Sequence, residues 1–399
     1  MNIRHGFDSV SREHLDYFRG YTYEKPVVLT PATFEEMKKL GLILHTCINH
    51  MINHYREYQH LMYRNEKDLE ILGICSHYPA SVGTFRTDFV VNRDNAIKII
   101  EIGARKPLDG YFLSGFFREI AMELAGNLGM QAIIDSYPGF FSYLESQTGD
   151  ATRVCIILGN DRTEDFKFYL PIMKEAGMEV MIIPVDELPG KIGLLKDSWV
   201  IEELTLPEIH SFSKEVVHAL CECNVLNPIR TILTAHDKRF FYVLGQEQFT
   251  ADCLTFTDQA FLLKYLVPTF IPGKDPERWL DACKNKDGYI LKNRVKGRSE
   301  DLYAGTLTTE ARWKELFDTG EISEMVLQPF IDQKKFTGMV GAERRKDYIT
   351  GTLLYFNDEF FGPGLFRTSS EPVTNLQDFR KAAQLVADKK PVFPGVHYL

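Results

Sequence analysis

Charged side chains stand at the ends of apolar, strand-like runs at several separate places in this 399-residue chain. Glu101 stands near the end of IKIIEIG, Lys238 follows TAHD, and Lys292 ends GYILK. Residues of similar kinds are Arg86 and Asp88 in FRTDF, Arg367 at the end of GLFR, and Glu300 and Asp301 in KGRSEDLYAG. Lysines contact phosphates as point charges, arginines grip phosphate or carboxylate oxygens, and carboxylates hold Mg²⁺. Together these residues indicate a nucleotide site, whereas each one alone is more often a solvated strand-end charge.

The segment MVLQPFI, residues 325–331, has the apolar pattern of a strand that ends in an exposed hinge. A backbone hinge of this kind can pair with an adenine ring. The segment ends with Gln328, Pro329, Phe330 and Ile331. Other signatures are absent, because the sequence has no G-x-x-x-x-G-K-[ST], no G-x-S-x-G and no kinase H-R-D set. The run VCIILGN ends in a single glycine, which disfavours a dinucleotide-dependent oxidoreductase.

Periodicity predicts the elements that position these residues. The run from Thr30 to Arg64 carries apolar residues at three- and four-residue spacing after an N-cap pattern, which predicts one long amphipathic helix. FRTDFVVN and AIKIIEIG, separated by the turn-prone RDN, predict a β-hairpin. Later strands are predicted at GYILKNRV, EMVLQPFI, YITGTLLYFN and FFGPGLFRTSS.

A different pattern begins at about residue 151, where TRVCIILGN, RTEDFKFYLPIMKEAGM and EVMIIPVDEL read as strand, helix and strand, and WVIEEL as a further strand. This alternation predicts a small parallel sheet. We expect residues 1–150 to hold a helical N-terminal region and the first part of the core, 151–229 an inserted Rossmann-like substrate domain, and 230–399 the nucleotide-binding part of the core with a lid. The expected fold class is α+β with an α/β insert.

Composition limits the possible partners. The formal net charge of −9 argues against general affinity for nucleic acid, but it leaves room for an anionic small molecule in a local cationic pocket. No long apolar run is present and the N-terminus lacks a signal-peptide pattern, so we expect a cytoplasmic protein without a membrane span. The seven cysteines show no C-x-x-C pair and are interpreted as reduced, mostly buried thiols.

A second possible site consists of histidines near residue 50. His50 and His54 have the i, i+4 spacing that can hold a metal ion, and His45 and His60 stand nearby. No glutamate follows the first histidine as in H-E-x-x-H. The favoured interpretation is therefore a set of partly exposed helix histidines beside tyrosines.

The order of the motifs resembles that of the circularly permuted ATP-grasp ligases, which include eukaryotic-type glutathione synthetase and bacterial glutathionylspermidine synthetase. The motifs are R-T-D-F, then EIGARK, then RVCIILGNDRTEDFKFYLPIMKEAGMEV, then DK, then LK with LYAG, then VLQPFI, then LFRTSS with VTN. The resemblance spans about residues 80 to 375 and depends on this shared order, since each motif alone is weak.

The resemblance implies an ATP-grasp core built from both ends of the chain, and ATP-dependent ligation of a carboxylate to an amine through an acyl phosphate. It implies that Arg86 contacts the peptide-like substrate, that Glu101 ligates Mg²⁺ and that Arg367 lies near the transferred phosphate. Lys238 and Lys292 match two phosphate-contacting lysines, and 328–331 match the hinge beside adenine. The expected cofactors are ATP and Mg²⁺, and the expected substrates are small molecules such as an amino acid or peptide.

Three positions depart from the family pattern: Gly103 replaces an asparagine, Lys296 a glutamate and Ser369 a lysine. Glu300 or Asp301 can supply the missing carboxylate. The alternative function is an inactive nucleotide- or peptide-binding module, and the alternative role for Glu101 is a salt bridge to Arg105 or Lys106. Arg86, Arg105, Lys106 and Arg118 suggest an anionic acceptor, although exposed helix charges would give the same pattern.

Overall fold

The computed structural model describes residues 2–62, 65–161, 166–374, 380–389 and 395–399. The α-helices are α1 Ile3–Arg19, α2 Pro31–Asn53, α3 Tyr55–Met62, α4 Glu66–Cys75, α5 Tyr111–Asn127, α6 Pro138–Thr148, α7 Phe166–Glu175, α8 Leu206–His210, α9 Lys214–Glu222, α10 Ile229–Ala235, α11 Phe240–Leu244, α12 Glu247–Cys253, α13 Phe256–Tyr265, α14 Pro276–Lys284 and α15 Glu310–Asp318. The strands are β1 Val27–Leu29, β2 Thr84–Val91, β3 Ile97–Gly103, β4 Arg153–Leu158, β5 Glu179–Pro184, β6 Trp199–Glu203, β7 Asn224–Val225, β8 Tyr289–Asn293, β9 Leu302–Ala304, β10 Met325–Pro329, β11 Lys335–Val340, β12 Glu343–Phe356, β13 Glu359–Ser369, β14 Lys381–Ala382, β15 Gln384–Val386 and β16 His397–Tyr398.

The long helix predicted from Thr30 to Arg64 is two helices in the structure. The Thr30 side chain caps the start of α2 by accepting a hydrogen bond from the Thr33 backbone N–H, and a proline occupies the first turn. The helical backbone breaks at His54, whose ring packs on His50 with centroids 4.4 Å apart and whose Nδ1 lies 3.0 Å from Glu57 Oε1. The prediction of a single helix is therefore wrong, and its last two residues, 63 and 64, lie outside the described ranges.

The predicted hairpin is present as β2 and β3 and belongs to a six-stranded antiparallel sheet. The order of this sheet is β14-β13-β12-β2-β3. The long strand β12 pairs with β11 along its first half and with β2 along its second half. Residues from the first third of the chain therefore hydrogen-bond directly to residues beyond 340. The apolar side chains of this sheet and of α2 share one core that includes Phe85, Phe89 and Tyr355.

The predicted parallel sheet is also present, with strand order β5-β4-β6-β7. Strand β4 is central and almost fully buried, as expected of a parallel strand covered on both faces. Helix α1 closes one face because Gly6 lies against α7, where a β-carbon would stand 2.2 Å from the Ile172 carbonyl oxygen. Ile3 and Phe7 join the core of this sheet. The start of the predicted second helix, residues 162–165, lies outside the described ranges.

A third sheet, β10-β8-β9, is antiparallel and backs onto α14 and α15. Alternation along β8 sends Tyr289 and Leu291 into the core around Trp279 and Trp313, so the side chain of Lys292 faces the other way. A small parallel sheet of order β15-β1-β16 joins segments from near both ends of the chain. Over the ranges that the structure describes, no helix has the length and apolar character needed to cross a membrane.

Candidate active site

Two adjoining cavities lie against the six-stranded sheet, and the β10-β8-β9 sheet lines the first of them. The hinge cavity, of about 80 Å³, is lined in part by Lys238, Lys292, Glu300 and residues 328–331. The arginine cavity, of about 410 Å³, is lined in part by Arg86, Arg105, Lys106 and Arg298. Both cavities share Asp88, Glu101, Gly297 and Arg367. The structure therefore brings the predicted site residues together except Asp301, which lies outside both linings.

Asp88 and Glu101 occupy directly opposite positions on β2 and β3. The register shifts after this pair, because Phe89 faces Ile99 and leaves Ile100 as an extra residue in β3. The Ile100 carbonyl oxygen accepts a hydrogen bond of 3.2 Å from Lys292 Nζ. The irregularity in β3 thus places the Lys292 ammonium beside the two carboxylates.

Lys238 and Lys292 are buried cations near the same carboxylate, that of Glu101. Lys238 Nζ lies 3.3 Å from Glu101 Oε1 and donates to the Lys296 carbonyl oxygen at 2.6 Å. Burial opposes ionisation of Glu101, but the charges of Lys238, Lys292 and Arg86 outweigh it and hold the pKa of Glu101 below its usual value. Burial lowers the pKa of Lys292 to about 8, with Glu101 acting in the opposite direction. Glu101 forms an ion pair with Lys238 rather than with Arg105 or Lys106. Arg105 pairs with Asp161, and Lys106 pairs with Glu203.

Asp88 connects the two arginines of the site. Arg367 Nη2 donates to Asp88 Oδ2. Asp88 Oδ1 is buried without a hydrogen bond, and Arg86 Nε lies 3.4 Å away. Arg86 also reaches Asp109, with Nη1 2.7 Å from Asp109 Oδ2. Gly103 leaves room for this arginine, because a β-carbon there would lie 3.3 Å from Arg86 Nε.

The residues at this junction fit a magnesium ion. Mg²⁺ in nucleotide sites is held by one or two carboxylates, substrate phosphates and water, and Asp88 and Glu101 supply two neighbouring carboxylates. The buried Asp88 Oδ1 without a hydrogen bond is the atom that a metal ion would satisfy. Sequence reasoning noted Asp88 but gave it no metal role, since its position opposite Glu101 depends on the strand register.

Glu300 and Asp301, the other predicted metal ligands, are paired with Lys296. Its Nζ contacts Glu300 Oε1 and Asp301 Oδ2, at 2.5 Å and 2.9 Å. Their metal role stays a prediction. Within the described ranges, no three His, Cys, Asp or Glu side chains form a ready cation site, and this includes the histidines around His50.

The loop between β8 and β9 has a backbone more typical of glycine. Arg298, Ser299 and Asp301 have φ of 54°, 61° and 49°, in the left-handed region that other residues rarely adopt. Arg298 Nη1 lies 3.4 Å from Oδ1 of Asp161, in the segment that follows β4. The loop therefore connects the cleft to the carboxyl-terminal side of the parallel sheet.

The hinge strand contributes a wall to the site. Gln328 is buried and its Nε2 donates to Thr269 Oγ1 at 2.9 Å. The Phe330 N–H already donates to the Gly288 carbonyl oxygen at 2.8 Å, and Pro329 has no N–H. Arg118, which the sequence grouped with the substrate cations, lies elsewhere and pairs with Glu119 and Asp135.

Comparison with known proteins gives a fold but no family. The model described as the AnkG N-terminal domain matches residues 43–234, which is less than half of the chain. No curated protein sequence matches this chain. Among solved structures, a glutathione synthetase-like effector from Globodera pallida in its apo form matches with a TM-score of 0.61 and 12% identity, over 95% of this chain and 96% of that one. At this identity the likeness shows a shared mixed α+β fold alone.

Proposed function

We propose that the chain is an ATP-dependent carboxylate-amine ligase with a circularly permuted ATP-grasp core. The observation that carries the proposal is that Lys238 pairs with Glu101 and Arg367 with Asp88 where the two cavities meet. Lys292 lies beside them, with its Nζ on the Ile100 carbonyl oxygen. Lysine, arginine and paired carboxylates are the groups that phosphoryl transfer needs, because the protein mainly positions the reactants and balances charge. The likeness to a glutathione synthetase-like effector supports the same fold.

Each group has a role in this proposal. Lys292 and Lys238 neutralise phosphate oxygens of ATP, and the hinge segment 328–331 contacts the adenine. Asp88 and Glu101 would hold Mg²⁺, and the ion would supply positive charge that stabilises the phosphate oxygens. Arg367 lines both cavities, so it contacts the phosphoryl group as it passes to the substrate carboxylate. The acyl phosphate then reacts with the amine.

The arginine cavity is the proposed site of the carboxylate substrate. Arg86 offers a planar guanidinium to a carboxylate. Arg105 and Lys106 line the cavity and add positive charge to it. Arg105 pairs with Asp161 and Lys106 with Glu203, so both also connect the cavity to the carboxyl ends of the parallel strands. The substrate class is an amino acid or a small acidic peptide.

The hinge cavity has to enlarge when ATP binds. Its volume of about 80 Å³ is well below the roughly 300–1,000 Å³ of small-molecule sites. The loop 296–301 forms one side of this cavity. Because several of its residues have left-handed backbone and its ion pairs are exposed, we propose that this loop moves when ATP binds. ATP should therefore protect this loop from proteolysis.

The test separates binding from turnover. ATP with Mg²⁺ at about 100 times its dissociation constant should add roughly 2.7 kcal/mol to the free energy of unfolding, which a thermal-shift assay detects. ADP release is then measured with a panel of carboxylates and amines. Absence of any ATP-dependent shift, with and without Mg²⁺, overturns the proposal.

A second candidate is a nucleotide-binding module without ligase activity. The observation that favours it is that Glu300 and Asp301 form ion pairs with Lys296 and are therefore less available to a metal ion. Among the residues that the structure describes, this leaves Asp88 and Glu101 as the carboxylates at the junction of the cavities. ATP binding without ADP release across the whole panel would favour the module over the ligase.

A further inference from the structure

Two cysteine thiols from separate helices lie next to each other, and neither lines the hinge cavity or the arginine cavity. Cys75 ends α4 and Cys221 lies in the last turn of α9, and their sulfur atoms are 3.3 Å apart. A disulfide requires about 2.05 Å, so a small movement of the side chains closes the gap. Both residues are reduced in the structure.

The surroundings of this pair favour a reactive thiolate. The hydrogen bond that joins the two thiols lowers the pKa of Cys221; burial opposes this shift, and the charge of Arg230 adds to it. Arg230 is buried and donates through Nη1 to the Cys75 carbonyl oxygen at 3.0 Å. A thiolate next to a cation and a second thiol is the arrangement found in cysteines that exchange disulfides.

A cavity of about 110 Å³ gives access to the pair. Cys75, Cys221, Cys223, Glu202 and Arg230 line it. Cys221 and Cys223 are partly exposed, whereas Cys75 is buried. An incoming reagent therefore meets Cys221 before Cys75, which assigns Cys221 as the attacking thiol and Cys75 as the resolving one. The Glu202 carboxylate is buried without a hydrogen bond, so the cavity also has an unsatisfied polar wall.

A second thiol pair in the molecule provides a matched comparison. Cys47 and Cys253 have sulfur atoms 4.0 Å apart. Cys47 is completely buried, and in both pairs the hydrogen bond between the thiols raises the pKa of one cysteine, Cys47 or Cys75, and lowers that of the other, Cys253 or Cys221. If proximity alone determined reactivity, the two pairs would react alike. Arg230 and the cavity of about 110 Å³ lie beside Cys75 and Cys221, so we expect this pair to react faster.

We propose that Cys75 and Cys221 form a reversible disulfide by exchange with a small organic disulfide. The Cys221 thiolate attacks one sulfur atom of the reagent, forms a mixed disulfide and releases one reagent thiol. Cys75 then loses its proton and attacks the Cys221 sulfur, which releases the second reagent thiol. Two protein thiols and one small disulfide thus become one protein disulfide and two small thiols, so electrons and atoms balance. The proposal is independent of the ligase function.

The experiment uses the full chain with hydroxyethyl disulfide as the reagent. Remaining thiols are alkylated, and the linked and unlinked cysteine peptides are quantified by mass spectrometry before and after reduction. The expected product is a peptide pair linked through Cys75 and Cys221 that disappears on reduction, while the peptides of Cys47 and Cys253 stay separately alkylated. In Cys75→Ser, the mixed disulfide at Cys221 should accumulate because its resolving thiol is missing.

Exposed Cys283 reports that the reagent reached the protein. If Cys283 is modified while Cys75 and Cys221 are recovered as separately alkylated peptides, the proposal fails. Equal crosslinking of both pairs would assign the chemistry to proximity alone, and a mixed disulfide at Cys223 in Cys75→Ser would remove Cys221 from the attacking role. Near-native circular dichroism of Cys75→Ser confirms that the variant is folded.

Discussion

Lys238 Nζ lies 3.3 Å from Glu101 Oε1, and this contact joins the segment after α10 to the end of β3. The side chain of Lys238 is 4% exposed and that of Glu101 is 26% exposed, so the ion pair opens toward the cleft on the carboxylate side. A carboxylate held between buried cations remains charged and fixed in place. The proposed magnesium site requires Glu101 in this charged form.

Glu101→Gln should abolish metal-dependent ADP formation while the protein stays folded. The amide keeps the shape of the side chain but removes the charge that would hold Mg²⁺. Lys238 keeps its hydrogen bond to the Lys296 carbonyl oxygen, but two buried lysines lose their nearest negative charge, so we expect a loss of stability of about 3 kcal/mol. ADP release should fall by about a hundredfold or more. The two quantities are measured by thermal denaturation and a coupled ADP assay.

Glu324→Gln is the matched control, because Glu324 pairs with Arg294 and its side chain is 62% exposed. It should retain ADP release. Near-normal ADP release and an unchanged Mg²⁺ titration in Glu101→Gln would remove Glu101 from the metal site.

ATP affinity should fall as the pH rises through about 8, the pKa to which burial lowers Lys292. The ammonium contacts phosphate only when protonated, and bound ATP favours that form, so binding takes up a proton near this pH. Affinity should drop roughly tenfold between about pH 7 and about pH 9. Isothermal titration calorimetry in two buffers of different ionisation enthalpy measures both the affinity and the proton uptake.

Lys292→Arg separates charge from titration. Arginine stays protonated in this range, so the variant should bind ATP without the pH dependence. Lys292→Ala should bind weakly at every pH. A wild-type affinity that does not change across the range would contradict a phosphate contact from Lys292.

Local sequence patterns predicted much of the frame of the site. The β2–β3 hairpin, the parallel strands and the strands that contain Lys292 and Arg367 follow from alternation and turn residues over short windows. The break at His54 was missed because apolar spacing continues across it. A helix can keep its apolar face while its backbone breaks, since tertiary packing stabilises both pieces.

The chemistry within the site depended on contacts that short windows do not contain. The extra residue Ile100 in β3 fixes Asp88 opposite Glu101 and supplies the carbonyl oxygen for Lys292. Arg118 shares the residue type of Arg86 but pairs with Asp135 on another surface. Register and ion pairing between distant segments are set by the assembled sheet, so residue type alone could not distinguish these two arginines.

Asp88→Asn should raise the Mg²⁺ concentration needed for ATP binding by about tenfold or more. Asp88 Oδ1 is buried without a hydrogen bond at the junction of the cavities, and an amide there is a poorer ligand. Glu300→Gln is the comparison, because Glu300 is already paired with Lys296 and its side chain is 64% exposed. Mg²⁺ titrations of ATP binding measure both. A larger effect of Glu300→Gln would move the metal ion to the loop 296–301.

Arg86→Ala should raise the KM for the carboxylate substrate far more than the KM for ATP. Arg86 lines the arginine cavity and not the hinge cavity, and a charged hydrogen bond to a substrate carboxylate is worth about 1.5–3 kcal/mol, or roughly a ten- to hundredfold change in KM. Steady-state ADP release gives both constants once the substrate panel has identified a carboxylate. Arg118→Ala, in a residue that pairs with Asp135 away from both cavities, should change neither constant. Equal increases in both constants for Arg86→Ala would mean that Arg86 mainly holds Asp88 and Asp109 in place.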